Sequence, residues 1–186
     1  MWREAQWQAL PCPPRTSGFQ LAVHPGGAPP GRATTLGTIP YQHVFIGRLE
    51  ADTLATLIDL GGNDYSDVRV DHLASHGDDL VYAWSVGSPG GYADCVECLR
   101  RDGTVPEVLA RNAGLSVRGS ASVPGRLYVA DLQSVLREDD LGLREFARVA
   151  GGEILGAVHY NGAIYICGSF TEVNRVPSFR IARFTP

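Results

Sequence analysis

A short pattern that recurs four times along the chain constrains its fold more than any other feature. The pattern is an apolar strand end followed by a tight turn, Ala-x-His-x-(Gly/Asn/Asp) in its clearest form, and its copies begin at Ala22, Ala74, Ala121 and Ala157. The third copy is the weakest, because Val123 stands at the histidine position. Subtracting the alanine numbers gives spacings of 52, 47 and 36 residues. A unit repeated at such intervals predicts a repeat architecture.

Each copy of the pattern is followed by further segments with strand character. Alternating, β-branched stretches bounded by Gly, Pro, Asn and Asp are typical of short strands joined by turns, and repeats of about 40 to 50 residues are typical of propeller blades. We therefore predict an all-β single domain, residues 1–186, that forms a small four-bladed β-propeller, with an irregular β-sandwich as the alternative. The predicted repeats are 18–62 (with a Pro/Gly-rich insertion at 25–40), 63–114, 115–152 and 153–186, and their first strands lie near 19–24, 69–76, 116–122 and 154–159.

Helix is not expected in this chain. Only residues 141–150 could be argued as helical, and Gly142 argues against that assignment.

The last repeat ends one strand short of the others. Residues 171–177 are interpreted as a polar connection, and the third strand follows at 178–184, close to the end of the chain. Residues 4–10 alternate and are followed by Pro11, so we predict that they form the closing strand of the last blade. Closure of this kind removes open sheet edges, which otherwise invite aggregation.

The last repeat also resembles a known family. Its turn Asn161-Gly162, its stretch Gly168-Ser169-Phe170-Thr171-Glu172-Val173-Asn174 and its strand Arg180-Ile181-Ala182-Arg183 resemble the delta-60 type β-propeller repeat over residues 157–184. Two positions depart from the pattern: Cys167 and Arg175 stand where the family usually has glycine. The resemblance implies a propeller and a surface or extracellular setting, including the tail and virion proteins of bacteriophages.

Composition excludes several classes of function. The formal net charge is -4, so we expect no nucleic-acid partner. No apolar run approaches the ~20 residues of a membrane span, and the first residues lack the apolar core of a secretory signal; we therefore expect no membrane insertion. The four cysteines are too few for a disulfide scaffold, and Cys95 and Cys98 are expected on opposite faces of one strand.

Histidines are the candidate metal ligands. His24, His76 and His159 occupy equivalent turns of three repeats, and imidazole is a common ligand. Four-fold spacing would hold them further apart than zinc–nitrogen bonds of about 2.0–2.1 Å allow, so no metal and no cofactor are predicted. His72 and His76 have the spacing of a helical metal pair, but in a strand and without the adjacent Glu of metalloproteases, and we interpret that spacing as accidental.

A polar loop is the candidate ligand-facing segment. It contains Asn63, Asp64, Tyr65 and Asp67 and leads into the second repeat, on a face where propeller loops commonly bind ligands.

No Gly-x-Ser-x-Gly, P-loop or dinucleotide motif is present, and no catalytic residues are assigned. We therefore predict a non-catalytic structural or binding module, in the setting that the resemblance implies, with other subunits of a larger assembly (virion proteins among them) or a cell-surface glycan or protein as partners. The alternatives are a carbohydrate-binding, lectin-like propeller and a metal-dependent hydrolase or lyase that uses the central pocket.

Overall fold

The structure, a computed structural model, describes residues 18–23, 33–39, 43–50, 53–61, 67–76, 79–88, 91–100, 105–123 and 126–185. These residues form seventeen β-strands and no helix, arranged in four antiparallel sheets. The all-β prediction is confirmed, including at residues 141–150. None of the described segments is a helix of the length and apolarity that a membrane span needs.

The first two sheets are four-stranded meanders in which each strand pairs with the next along the chain. The first contains β1 (Gly18–Val23), β2 (Ala33–Ile39), β3 (His43–Glu50) and β4 (Thr53–Gly61). The second contains β5 (Asp67–His76), β6 (Asp79–Ser88), β7 (Gly91–Leu99) and β8 (Glu107–Arg111). This up-and-down order is what short turns between strands of β-branched residues produce.

The third sheet begins as a meander and gains a hairpin at its outer edge. Its meander contains β9 (Gly119–Val123), β10 (Arg126–Ala130), β11 (Ser134–Asp139) and β12 (Gly142–Ala150). The added hairpin consists of β15 (Glu172–Val173), which pairs with β12, and β16 (Val176–Pro177). The interpretation of residues 171–177 as a plain connection was therefore wrong. Asn174 and Arg175 both have positive φ, 49° and 66°, the conformation that a two-residue hairpin turn requires.

The fourth sheet has three strands, in the order β13 (Ile154–Tyr160), β14 (Ala163–Gly168) and β17 (Ile181–Phe184). The predicted turn at Asn161-Gly162 joins the first two and has positive φ at both residues. The strand predicted at 178–184 is shorter than expected and starts at Ile181. The residues assigned to the closing strand, 4–10, lie outside the described residues.

Apolar clusters join each sheet to the next. The first interface packs Ile46 and Ile58 of the first sheet against Val70 and Tyr82 of the second. The second interface, between the second and third sheets, packs Val81, Val96 and Cys98 against Leu127 and Val129. The third interface, between the third and fourth sheets, packs Tyr128, Val135 and Val149 against Ile154, Ile164 and Ile166. Alternate side chains of one sheet therefore fill two different interfaces.

The first strands of the four sheets lie next to one another. β1 contacts β5, β5 contacts β9, and β9 contacts β13. The approach of β9 to β13 is close: a Cβ on Gly119 would lie 2.7 Å from the backbone nitrogen of Ala157. A strand is present at each of the four predicted first-strand positions. The third starts later than predicted, at Gly119 instead of residue 116, and residue 24 of the first lies outside the described residues. The described strands do not close into a barrel or ring, and the four-bladed propeller stays a prediction.

Candidate functional site

A β-bulge at Asp71 divides β5 into two parts. Val70 and His72 pair with adjacent residues of β6, so Asp71 is one residue too many for the ladder. The Ser85 hydroxyl donates to Asp71 Oδ2 at 2.8 Å, and Arg69 Nε lies 3.1 Å from Asp71 Oδ1. These contacts hold the extra residue in place.

The bulge decides which way the histidines of β5 face. Side chains alternate between the two faces of a strand, so one extra residue exchanges the faces for everything beyond it. Val70, before the bulge, packs in the first interface with the first sheet. His72 and His76, beyond it, pair with Ala83 and Asp79 and therefore face the third sheet.

The two histidines converge on one hydroxyl group. His72 Nε2 and His76 Nε2 each lie 2.7 Å from the Oγ of Ser120, in β9. Four residues of strand span about 13 Å, so the two rings lean toward each other with the serine between them. Ser120 is 8% exposed. We call this group the His72–Ser120–His76 cluster.

Both imidazoles of the cluster are neutral at pH 7. Burial, with a smaller contribution from the charge of His76, lowers the pKa of His72 from 6.5 to about 4. Burial also lowers the pKa of His76; Asp79 acts in the opposite direction and His159 adds to the lowering. Because a hydroxyl has one hydrogen and two acceptor lone pairs, Ser120 donates to at most one Nε2, and at least one of the two neutral rings carries its hydrogen on Nε2.

The predicted site residues are only partly brought together. His159, in β13, lies near enough to affect the pKa of His76, whereas His24 and residues 63–65 lie outside the described residues. Asp67 opens strand β5, so it is not a loop residue. Within the described ranges, no three His, Cys, Asp or Glu side chains form a group that could hold a metal ion.

A charged groove of about 570 Å³ lies between the second and third sheets. Its lining includes three arginines (Arg100, Arg126 and Arg137), Ser122, Asp79 and the acidic run 138–140. Ser120 and Ser122 are two residues apart in β9 and so lie on the same face of that strand. The groove and the cluster therefore share one side of β9.

Arg100 is the centre of the ion pairs in this groove. Its guanidinium contacts Asp79 at 3.0 Å, Glu107 at 3.1 Å, and Glu138 of the third sheet. Burial opposes the charge of Arg100, but the hydrogen bonds that its guanidinium donates to Asp79 and Glu138 outweigh burial and raise the pKa of Arg100. The charge of Arg100 is thus neutralised by carboxylates of the protein itself.

The other two arginines of the groove lack such partners. Among the described residues neither Arg126 nor Arg137 makes an ion pair; Arg137 has its guanidinium carbon 5.5 Å from the centroid of the Phe146 ring. An unpaired guanidinium presents a fork of N–H donors that suits carboxylate, phosphate or hydroxyl oxygens. These two side chains are therefore the part of the groove best suited to bind a partner.

The cysteines and the buried acid of β7 have a structural role. Glu97 is buried and accepts from Trp84 Nε1 at 3.0 Å and from the Cys95 thiol at 3.5 Å. Burial raises the pKa of Cys95 to about 11 and that of Cys98 to about 12, so both stay protonated thiols. Cys98 packs in the second interface, on the face opposite to Cys95, as predicted.

Comparison with known proteins adds no assignment: no protein-family model matches the chain, and no curated protein matches it significantly.

Sequence reasoning missed Ser120 and the arginines of the groove. The even spacing of His72 and His76 was a usable signal, because residues four apart on a strand share a face. Ser120 gave no signal, since its partners belong to another sheet.

Proposed function

We propose that the protein is a non-catalytic binding module, built as a four-bladed β-propeller, that acts as a subunit of a larger assembly. The order of packing supports the propeller: the interfaces run from the first sheet to the second, third and fourth, and the first strands are neighbours. Such an arrangement is what radial repetition of similar blades produces.

The groove carries the binding part of the proposal. It is concave, it lies where hairpin turns of two sheets meet, and two of its arginines have no ion partner within the described part of the chain. Its mixture of arginines and carboxylates suits a protein surface that also carries charges of both signs. Arg100 is neutralised internally, so Arg126 and Arg137 are the expected contacts.

The fourth sheet supports closure of the ring. Val158, Tyr160 and Ile181 are 56%, 70% and 63% exposed and lie on one face of the sheet, opposite to the buried Ile164 and Ile166. Strand β17 has no partner on its outer side among the described strands. We propose that residues 4–10 pair with β17 and bring the first sheet against this apolar face, which removes an open edge and an uncovered patch together.

Disulfide cross-linking tests closure. In a chain with Cys12 and Cys167 replaced by serine, Trp7→Cys and Ile181→Cys are expected to join within one molecule. The matched control pairs Trp7→Cys with Leu141→Cys, which is exposed in the turn between β11 and β12 and should not react. Links found only between molecules would place the closing strand in a neighbouring subunit, and no link at all would reject the pairing.

The resemblance of residues 157–184 to the delta-60 repeat suggests the setting of the assembly, a bacteriophage tail or capsid surface that acts in assembly or host-surface recognition. Mass spectrometry of purified particles tests this setting. The double variant Arg126→Ala/Arg137→Ala is expected to fold and to be missing from particles. The control Arg144→Ala, which removes an arginine paired with Asp139 at 3.1 Å, should be incorporated normally. Normal incorporation of the double variant would exclude the groove as the interface.

Carbohydrate binding is a second candidate, favoured by the size and lining of the groove. Its volume lies within the range of about 300–1,000 Å³ typical of small-molecule sites, and its arginines, carboxylates and serine are all groups that hydrogen-bond hydroxyls. A glycan array with the wild-type chain and the same double variant tests this candidate. Binding that the double variant loses would favour the lectin function over a protein partner.

A further inference from the structure

Arg126 and Arg137 lie on neighbouring strands and on the same face of the third sheet. Arg137, in β11, is opposite Tyr128 of β10, and Arg126 is two residues from Tyr128, so the three side chains share a face. Continuing the register by two residues makes Arg126 and Arg137 diagonal neighbours, whose Cα atoms are about 7–8 Å apart in an antiparallel pair. Long side chains span that distance, so both guanidinium groups can contact one group bound between them.

The two guanidinium groups have donors to spare. Among the described residues neither Arg126 nor Arg137 takes part in an ion pair. Arg126 is exposed at the start of β10. Arg137 lies over the Phe146 ring, 5.5 Å from its centroid, and such stacking on an aromatic face favours one position of the guanidinium plane. Part of the site is therefore ordered before a ligand arrives.

The charges that line the groove favour a ligand group with a single negative charge. Three arginines face four carboxylates, a balance of three positive against four negative charges. Three of those carboxylates, Asp79, Glu138 and Asp139, already pair with arginines of the protein. The fourth, Asp140, makes no ion pair within the described part of the chain. A doubly charged group such as sulfate therefore meets more repulsion here than a carboxylate does.

We propose that Arg126 and Arg137 together bind the side-chain carboxylate of an aspartate or glutamate on the protein partner of the groove. This inference rests on the proposed function, in which the groove is the binding surface, and it names the chemical group that is recognised. A carboxylate has two oxygens with about four acceptor positions, enough for N–H donors from both guanidinium groups. Hydrogen bonds between two charged groups are also about twice as strong as neutral ones.

The lining of the groove favours a protein as the source of that carboxylate. Every described residue of the lining is charged or is a serine, whereas sites for small molecules are lined mainly by apolar and aromatic side chains. A polar lining of this kind is typical of the rim of a protein interface. Asp140 can accept a hydrogen bond from a lysine, an arginine or a backbone N–H of the same partner, so the groove suits a surface with charges of both signs.

NMR titration of ¹⁵N-labelled protein at pH 6.5 tests the site, because arginine Nε–H signals report on each guanidinium group. The probes are a capped Gly-Glu-Gly peptide, its Gly-Gln-Gly counterpart, glucuronate and inorganic sulfate. The glutamate peptide is expected to shift the signals of Arg126 and Arg137 together, with one dissociation constant, and the glutamine peptide is expected to shift neither. The signal of Arg144, whose Nε contacts Asp139 at 3.1 Å, is the internal control and should not follow that curve.

Each other result of the titration counts against a named part of the proposal. A shift of one arginine alone, or of neither with any probe, would refute the shared site. Tighter binding of sulfate than of the glutamate peptide would overturn the preference for a single charge. Tighter binding of glucuronate would assign the carboxylate to a sugar and overturn the protein source.

Substitutions separate the fork of the guanidinium from its charge. Arg126→Lys and Arg137→Lys keep the charge, and each is expected to weaken binding of the glutamate peptide about 10-fold through lost hydrogen bonds. Arg144→Lys, the matched control, should bind like wild type. Asp140→Asn should bind both anions more tightly, with the larger gain for sulfate. Wild-type affinity in both lysine variants, with unchanged backbone spectra, would refute the role of the two arginines.

The particle experiment with Arg126→Ala/Arg137→Ala distinguishes failure of this inference from failure of the proposed function. Loss of incorporation without binding of the glutamate peptide to wild type would leave the groove as the interface and refute the recognition of a carboxylate. Normal incorporation together with binding of the peptide would refute the assembly interface and leave the two-arginine site standing.

Discussion

Acidification from pH 7 to pH 4 is expected to destabilise the protein through His72 in particular. His72 has a pKa of about 4 in the folded chain, whereas its ordinary value is 6.5. Between pH 6.5 and pH 4, therefore, His72 is mostly protonated in the unfolded chain and mostly neutral in the folded chain. Stability from this group is present above pH 6.5 and is lost as the pH falls toward 4. Integration over that range gives a loss of about 3 kcal/mol, of which about 1 kcal/mol is lost by pH 5.5.

The neighbours of His72 act in known directions. His76 has a lowered pKa from burial and from His159, so it adds a loss of the same sign, while Asp79 reduces the contribution of His76. Ser120 is neutral, so it affects the pH dependence only through its hydrogen bonds with the two rings.

Urea unfolding at pH 7, 5.5 and 4, for wild type and His72→Gln, isolates the effect. Carboxylates also titrate in this range, so the informative quantity is the difference between the two chains. The unfolding free energy of His72→Gln should fall less steeply, by about 3 kcal/mol between pH 7 and pH 4. Parallel curves for wild type and His72→Gln would show that His72 is not held neutral by the fold, and the reasoning would be wrong.

Three further substitutions have expected outcomes, each read from unfolding free energies at pH 7. Arg175→Gly should stabilise the chain by about 1 kcal/mol, since a side chain in the left-handed region costs about 1–2 kcal/mol; a destabilised variant would mean that the turn tolerates arginine without strain. Trp84→Phe should cost about 1–3 kcal/mol, because it removes a donor from the buried carboxylate of Glu97, and unchanged stability would contradict that role. Arg100→Met should cost about 1 kcal/mol at low salt and less at high salt; a loss independent of salt would point to packing instead of charge.

The strands were predictable from the sequence because their signals are local. Alternation of β-branched residues and turns rich in Gly and Asn depend on neighbours along the chain, and the turn at Asn161-Gly162 shows both positive-φ residues where the pattern places them. The hairpin at 171–177 was missed because Arg175 stands at the turn position where glycine is usual, and without that glycine the sequence does not indicate a turn. The backbone there adopts the turn in spite of its side chain.

The candidate site was harder to predict because its parts meet across sheets. His72 was set aside on the basis of helical spacing, although strand spacing also places it with His76 on one face. The bulge at Asp71 determines which face of the strand carries the two histidines. The alternation of apolar and polar residues in the sequence does not predict such a bulge. The contacts of Ser120 with the histidines, and that of Arg100 with Glu138, form only when the second and third sheets pack.

Each apolar interface seen among the described residues joins two sheets that are consecutive along the chain, and this has a consequence for synthesis of the chain. A ribosome adds about 5–20 residues per second, so the segment that forms one sheet takes several seconds, whereas a hairpin forms in about 1–10 μs. Each sheet can therefore pack on the one before it while the next is still being translated. A chain interrupted before the fourth sheet would leave Tyr128, Val135 and Val149 without their partners. Prematurely terminated chains should thus be recognised by chaperones or proteases through that one uncovered side of the third sheet.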